Sequence, residues 1–382
     1  MSALTMGVEE EFLLVDPACG ATLPVAEKVV ACASAADLPA GATIQRELRD
    51  TQAEAATGVC VTAAELRAHL TAGRRVVAAA ARDHVAVAVA SASPVLESGG
   101  RVPSTLARFV AIDDMYGEVT RDYEACGCHV HVGVPDRDTA VAVVNHLARW
   151  LPTLLALSVN SPFYQGRDTG YGSWRIVQQS RFPGSGLAPY FRDHTAFRAE
   201  VGRLVECGAL ADEAQTFWFA RPSPKLPTVE IRVADTAATV PEAVLHAMLG
   251  RALVRVALDD LRRGREAAPV PAQMAAAAVW SAARYGLAGP GVDLERSRRV
   301  PATELVTALL DHVRDALTET GDLPGVHAQL DRLRSDGTGA ERQRRVAGTG
   351  GLPAVVTDLT LRDESDAPGY SEAAQASEEP HG

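Results

Sequence analysis

Short runs of alternating apolar and polar residues along this chain are separated by longer, alanine-rich runs with helical spacing. Residues 7–15 read as a strand ended by the turn DPACG, and residues 47–57 as a second, more polar strand. Thr62 begins a helix as its N-cap, and Glu65 three positions later completes a capping box. That helix is expected to run to about Asp83 and to feed a strand at residues 85–91. Residues 98–122 read as loop and helix, and residues 127–134 as a strand closed by Pro135. One helix is expected over residues 139–159, with a kink at Pro152. Residues 160–190 form a long segment rich in Gly, Ser, Arg and aromatic rings, a length that points to function. A helix at 195–207 precedes strand-like runs at 216–220 and 228–234, and residues 241–334 read as largely helical. Short strands thus alternate with long helices up to about residue 361, and an acidic, disordered tail is expected at 362–382.

Side-chain parity says what the strands carry, because residues i and i+2 share a face. In VEEEF, Glu9 and Glu11 project together, while Val8, Glu10 and Phe12 take the other side. In CGCHVHVGV, His129 and His131 share one face and Cys126, Cys128, Val130 and Val132 the reverse. In TVEIRVAD, Val229, Ile231 and Val233 form an apolar face that leaves Glu230 and Arg232 side by side opposite. Three strands with apolar backing at alternate positions imply a sheet buried on one side and chemical on the other. Glu47 and Glu54 in ELRDTQAE lie an odd number of positions apart, so a bulge or turn must intervene if they are to converge.

Composition narrows the partners. The chain has 382 residues, of which 47% are hydrophobic and 22% charged, as in ordinary soluble proteins. Its net charge of −11 argues against nucleic acid or an anionic membrane as partner. The N-terminal residues show no signal-peptide pattern, and the apolar stretch at 76–90 is broken by Arg82, Asp83 and His84. Six scattered cysteines suit reduced thiols, so a soluble, cytoplasmic protein is expected.

Converging carboxylates repel and drive their pKa values up unless a cation intervenes. Glutamates with one imidazole are ligands for Mg²⁺ or Mn²⁺, which work with substrate phosphates. An arginine beside such a glutamate is what phosphoryl transfer needs. A zinc site in CGCHVH is disfavoured, since parity sends its thiols and imidazoles to opposite faces. Neither a P-loop nor a dinucleotide fingerprint is present, so ATP would bind through metals and arginines on a sheet.

The segments GVEEEFLLVDP, ELRDTQAE, GCHVHVGVPD, NSPFYQGRDTGYGSWR, RPSP…TVEIRVADT and GTGAERQR occur in this order. As a set they resemble the YbdK-type carboxylate–amine ligases of the second glutamate–cysteine ligase family, in the glutamine synthetase superfamily. The resemblance spans about residues 6–346. It implies one α+β catalytic domain over residues 1–361, with a curved, mainly antiparallel sheet cradling ATP and metal ions and helices packed on one side, as in glutamine synthetase and guanido kinase catalytic domains. It also implies a two-step reaction. ATP phosphorylates a carboxylate, classically the γ-carboxylate of glutamate, and an amine such as cysteine then displaces phosphate.

The resemblance further implies roles. Glu9, Glu11, Glu47, Glu54 and Glu230 would be metal ligands, with His129 or His131 supplying the imidazole and the other contacting phosphate or substrate. Glu54 would also orient the amine or accept its proton. Arg232 would stabilise the transferring phosphoryl group. Arg175 and Arg221 would clamp a carboxylate or phosphate, unless they form structural ion pairs. Thr169, Tyr171 and Ser173 would line a variable substrate pocket, with Asn160, Gln178 and Arg181 as further candidates. A homodimer is a family expectation. Trp174, the RFPGSGLAP stretch and Ala278 depart from the family pattern, which bears on the identity of the acid and amine and not on the metal set. The rival classes are a metal- or nucleotide-binding regulatory protein without catalysis, and a phosphotransferase that forms no amide.

Overall fold

The computed structural model describes residues 4–97 and 105–362. In chain order the first elements are β1 (Met6–Val15), α1 (Ala26–Ala33), β2 (Thr43–Arg46), β3 (Gln52–Ala56), α2 (Ala63–Asp83) and β4 (Val87–Val89). Next come α3 (Ala107–Tyr116), α4 (Glu118–Arg121), β5 (Gly127–Gly133), α5 (Arg137–Leu147) and α6 (Leu151–Ser158). The middle holds β6 (Phe163–Tyr164), β7 (Arg167–Asp168), α7 (Trp174–Gln179), α8 (His194–Glu206), β8 (Ala220–Pro222) and β9 (Thr228–Asp235). The rest comprises α9 (Val240–Arg262), α10 (Ala272–Tyr285), β10 (Pro290–Asp293), β11 (Arg298–Pro301), α11 (Ala302–Glu319), α12 (Leu323–Asp336) and α13 (Gly339–Leu359).

Among the described residues, one antiparallel sheet runs in the order β2-β3-β1-β5-β9-β8, with β4 beside the end of β1. Its back face is apolar by strict alternation. Val8, Cys128, Val130, Val132, Val229, Ile231 and Val233 pack with residues of α5, α6, α9 and α11 in the largest core cluster. Phe12, Leu14, Ala53 and Ala55 pack instead with α1 and α2. Helix α9 comes so close to the strands that a Cβ on Gly250 would lie 3.0 Å from Ile231 Cδ1, so glycine sets that approach. Glu10 is the exception on the back face. It is buried, and Arg74 of α2 binds it through Nε at 2.9 Å while also donating to the carbonyls of Ala237 and Ala238.

The α+β class and the Thr62–Glu65 capping box are as expected, with Glu65 N donating to Thr62 Oγ1 at 3.1 Å. Several elements differ. The strand expected at 47–57 is a hairpin partner, because residues 47–51 turn the chain between β2 and β3. The helix expected over 139–159 is two helices bent by 68°, since Pro152 falls in the first turn of α6, where a missing N–H costs nothing. The strand expected at 85–91 shortens to β4 after the left-handed Val85, and the one expected at 216–220 moves to β8. Residues 160–190 contain the β6–β7 hairpin and α7, and the hairpin β10–β11 interrupts the helical second half. Helix α13 was not anticipated. The expected tail lies, from residue 363 on, outside the described residues. Among the described residues no single helix is long and apolar enough to cross a membrane.

Candidate active site

Register brings the predicted side chains together. Glu9 pairs with His129 and Glu11 with Glu54, while His131 of β5 pairs with Glu230 of β9. Between Cys128 and Val130 the β5–β9 pairing shifts, because β9 runs one residue longer there. Arg232 and Val233 together oppose His129. Such a bulge bends the strand and re-aims its side chains. Glu47 reaches the same face from the β2–β3 turn, with a carboxylate oxygen within 4.8 Å of one on Glu54. The odd spacing of the two glutamates is thus resolved by a turn.

The ligand atoms form two groups of three, each within 4.8 Å: Glu9, His131 and Glu230, and Glu11, Glu47 and Glu54. His131 Nε2 lies 3.2 Å from Glu9 Oε1, and its Nδ1 lies 2.9 Å from Thr228 Oγ1, which orients the ring. His129 stands between the groups, with Nδ1 3.3 Å from Glu9 Oε2 and Nε2 3.7 Å from Glu11 Oε1. Glu11 Oε2 accepts the Gly127 N–H at 2.6 Å. Cys128 is buried behind the sheet, and Cys126 faces Gln52 at 3.3 Å, so neither thiol joins the cluster.

The two groups differ electrostatically. Burial pushes Glu11 up to about 8, reinforced by Glu47 and opposed by Arg175, the Gly127 N–H and Arg232. Burial raises Glu47 as well, and it raises Glu54 strongly, together with repulsion from Glu9, Glu47 and Glu11. In Glu9 burial is overridden by His129 and His131, which hold the carboxyl well below its ordinary range. In Glu230 it is overridden by Arg232, Arg221 and His131. Burial and Arg232 depress His129 to about 4, so it is neutral near pH 7, whereas Glu9 and Glu230 outweigh burial and raise His131.

The arginines divide the work. Arg221 binds Glu230 through Nε at 2.8 Å and Nη2 at 3.3 Å, and its Nη1 reaches the carbonyls of Ala214 and Thr216. It forms the structural ion pair rather than an open clamp for a ligand. Arg232 also pairs with Glu230, but its Nε is buried without a partner among the described residues. Arg175 donates to the carbonyls of Arg232 (3.1 Å) and Val233 (3.5 Å), and its buried Nε likewise has no partner among the described residues. Its guanidinium lies across Gly127, where a Cβ would come within 2.4 Å of Nη2. Only glycine permits that approach.

The expected pocket residues brace the scaffold instead. Ser173 is fully buried, caps α7 and donates to Asp235 Oδ1 at 2.7 Å. Thr169 donates to Pro162 O, and the Tyr171 hydroxyl accepts from Trp280 Nε1 at 3.3 Å. Asn160 is tied to Ala90, Thr236 and Gln343, while Gln178 and Arg181 both bind Asp122. Sequence reasoning missed Asp235 at the end of β9, which accepts from Asn160 N, Ser161 and Ser173 and so anchors the N-terminus of α7, the helix that carries Arg175. It is the remaining ionisable residue of TVEIRVAD, and that was the available signal.

These shifts set a pH dependence. Glu11, Glu47 and Glu54 keep protons in the folded chain that the unfolded chain releases near the ordinary value of 4.5. Folding therefore takes up protons, and stability falls as pH rises through about 8, with the raised His131 acting in the same direction. A divalent cation bound to these carboxylates would replace those protons. Added Mg²⁺ should then raise Tm more at about pH 8 than at about pH 6.5 in a chelator-treated sample. Equal gains at both pH values would count against cation binding here.

Comparison with known proteins gives the family. The family model described as glutamate–cysteine ligase family 2 matches residues 5–358. A relative from Saccharopolyspora erythraea, bearing the name of a glutamate–cysteine ligase 2-2, is 54% identical over 97% of this chain and 94% of its own length. One from Salinispora arenicola, named for glutamate–cysteine ligase 2, is 44% identical over 91% of each chain. The fold resembles a glutamate–cysteine ligase from Francisella tularensis in complex with AMP (TM-score 0.66, 14% identity, 94% of this chain and 88% of that one). It also resembles a bifunctional glutathione synthetase from Pasteurella multocida (TM-score 0.67, 14% identity, 94% and 52%). Matched over nearly its whole described length and by close relatives, the chain belongs to glutamate–cysteine ligase family 2.

Proposed function

We propose that this chain is an ATP-dependent ligase that activates a carboxylate, the γ-carboxylate of glutamate, as an acyl phosphate and couples it to an amine such as cysteine. The observation that carries the reading is the pair of three-donor groups on one sheet face, beside two arginines whose buried Nε atoms have no partner among the described residues. The donors are carboxylate oxygens with a single imidazole, and burial and mutual repulsion raise the pKa values of three of the carboxyls. That set fits a hard cation such as Mg²⁺ or Mn²⁺. Glu11, Glu47 and Glu54 would hold one ion, and Glu9, His131 and Glu230 a second. Bound there, the ions would neutralise the phosphate oxygens of ATP.

The chain's own groups then have distinct tasks. Arg232 faces the phosphoryl group as a substrate carboxylate oxygen attacks the γ-phosphorus and ADP leaves. Arg175 grips the acid, Arg221 keeps Glu230 in place, and neutral His129 separates the two carboxylate groups. The amine nitrogen next attacks the acyl carbon, phosphate leaves, and the amine's proton passes to Glu54. The core cluster reaches from Met6 to Ala340, which supports one catalytic domain over residues 1–361. Six unpaired thiols suit a reducing, cytoplasmic setting.

The test is mass spectrometry of products after incubation with ATP, Mg²⁺, glutamate and a pooled set of amino acids. An amide appearing with stoichiometric ADP is the expected result. ADP without amide, and no hydroxamate on adding hydroxylamine, would mean phosphoryl transfer to some other acceptor. No substrate-dependent ADP would leave a binding protein.

A further inference from the structure

The segment GTGAERQR at residues 337–344 supplies none of the side chains gathered on the sheet, yet it grips the loop that leads to Arg175. Thr338 caps α13, and the Glu341 carboxylate accepts the Thr338 N–H at 2.8 Å, which fixes where the helix begins. The residues that follow turn to the loop. Ala340 N–H donates to Val159 O at 3.0 Å. Gln343 Nε2 donates to Asn160 twice, to the carbonyl at 2.9 Å and to Oδ1 at 2.7 Å. Arg344 holds the far end, binding the Asp168 carboxylate at 2.7 and 2.9 Å and the Tyr171 carbonyl at 2.9 Å.

From Gln343 the hydrogen bonds continue to the active site without a break. Asn160 N–H donates to Asp235 Oδ2 at 2.8 Å. Ser161 Oγ donates to the same oxygen at 2.8 Å and accepts the Arg175 N–H at 3.1 Å. That N–H belongs to the first turn of α7, where the helix itself offers no acceptor. The Arg175 guanidinium then lies across Gly127, whose N–H binds Glu11. Asn160, Ser161, Asp235 and Gln343 are each 2% exposed or less, and a buried network of this kind holds one geometry. Asn160 cannot swing aside freely, because its Nδ2 binds the carbonyls of Ala90 and Thr236, both at 2.9 Å. Gly339, one turn before Gln343 on the same helix face, lies so close that a Cβ there would overlap Asn160 Oδ1.

We propose that Gln343 is a positioning residue that sets the direction of Arg175 from α13, by holding Asn160 and, through Asp235 and Ser161, the first turn of α7. The inference rests on the ligase reading above, in which Arg175 grips the acid. Two unlike substitutions test it. Gln343→Leu removes the donor, and Gly339→Ala displaces Asn160 although alanine by itself favours a helix. The assay is hydroxamate formation from L-glutamate, hydroxylamine, ATP and Mg²⁺, beside thermal unfolding curves. In both variants KM for glutamate should rise about ten- to hundredfold, the scale of a misplaced binding group, with KM for ATP changed by less than about twofold. In an Arg175→Ala background, Gln343→Leu should add less than about twofold, because effects that pass through one group are not additive. Val355→Ala, farther along α13 in another core cluster, should lower Tm and leave KM for glutamate unchanged. An unchanged KM for glutamate in a folded variant, an equal rise in Val355→Ala, or a full further rise in the Arg175→Ala background overturns the inference alone. A wild-type protein that forms no hydroxamate overturns the ligase reading and this inference with it.

Discussion

Replacing Arg232 with alanine is expected to lower substrate-dependent ATP consumption by about a thousandfold or more, the scale of an arginine that stabilises a transferring phosphoryl group. The fold should survive. Glu230 would lose one guanidinium but keep the bidentate contact with Arg221, so no buried carboxylate is left bare. Arg232→Lys restores charge without the planar fork and should recover only part of the rate. The check is steady-state ADP release beside a thermal unfolding curve. Wild-type turnover in the alanine variant would remove Arg232 from the mechanism, and a collapsed unfolding curve would make it a structural residue.

Glu11→Gln should be nearly as damaging to turnover, by at least about a hundredfold, yet leave the metal-free protein as stable as wild type or more so at about pH 8. Below about 8 the wild-type Glu11 carboxyl carries a proton, and an amide closely mimics that neutral form. Above it, the amide removes repulsion from Glu47. What is lost is an anionic ligand, and with it the cation's hold on ATP. Calorimetric titration with Mg²⁺, together with Tm at several pH values, separates the two effects. Activity near wild type would mean that Glu11 binds no essential metal. Such a substitution trades function for stability, as expected where a site is strained by its own charges.

Much of this site was legible in the sequence because a strand has a fixed two-residue period. Parity alone placed Glu9, Glu11, His129, His131 and Glu230 on one face and sent Cys128 to the other, and the pairing of β1 with β3 and β5 agrees with it. The limits were equally physical. The meeting of Glu47 and Glu54 depends on where the chain turns, and ELRDT carries no Gly or Pro to announce a turn. The bulge opposite His129 leaves no local signal, since Arg232 and Val233 read as ordinary strand residues. Arg221 looked like a ligand clamp because its partner Glu230 lies nine positions away on the neighbouring strand. Ser173 and Thr169 sit in a polar loop whose hydrogen bonds close on itself and on Asp235, a tertiary fact that no window of sequence contains.

The middle glutamate of VEEEF has a consequence for the other two. A strand of three consecutive carboxylates could slip by one position against its neighbours and still offer acid to the front of the sheet. Here such a slip would carry Glu10 forward and leave the guanidinium of Arg74 buried beneath α2 without its partner, a loss of about 3–5 kcal/mol. It would also turn Glu9 and Glu11 into the alanine- and valine-lined core behind. The buried pair on the silent side of the sheet thus acts as a ratchet pawl, holding β1 at the one setting in which two acids, and not one, stand on the front face.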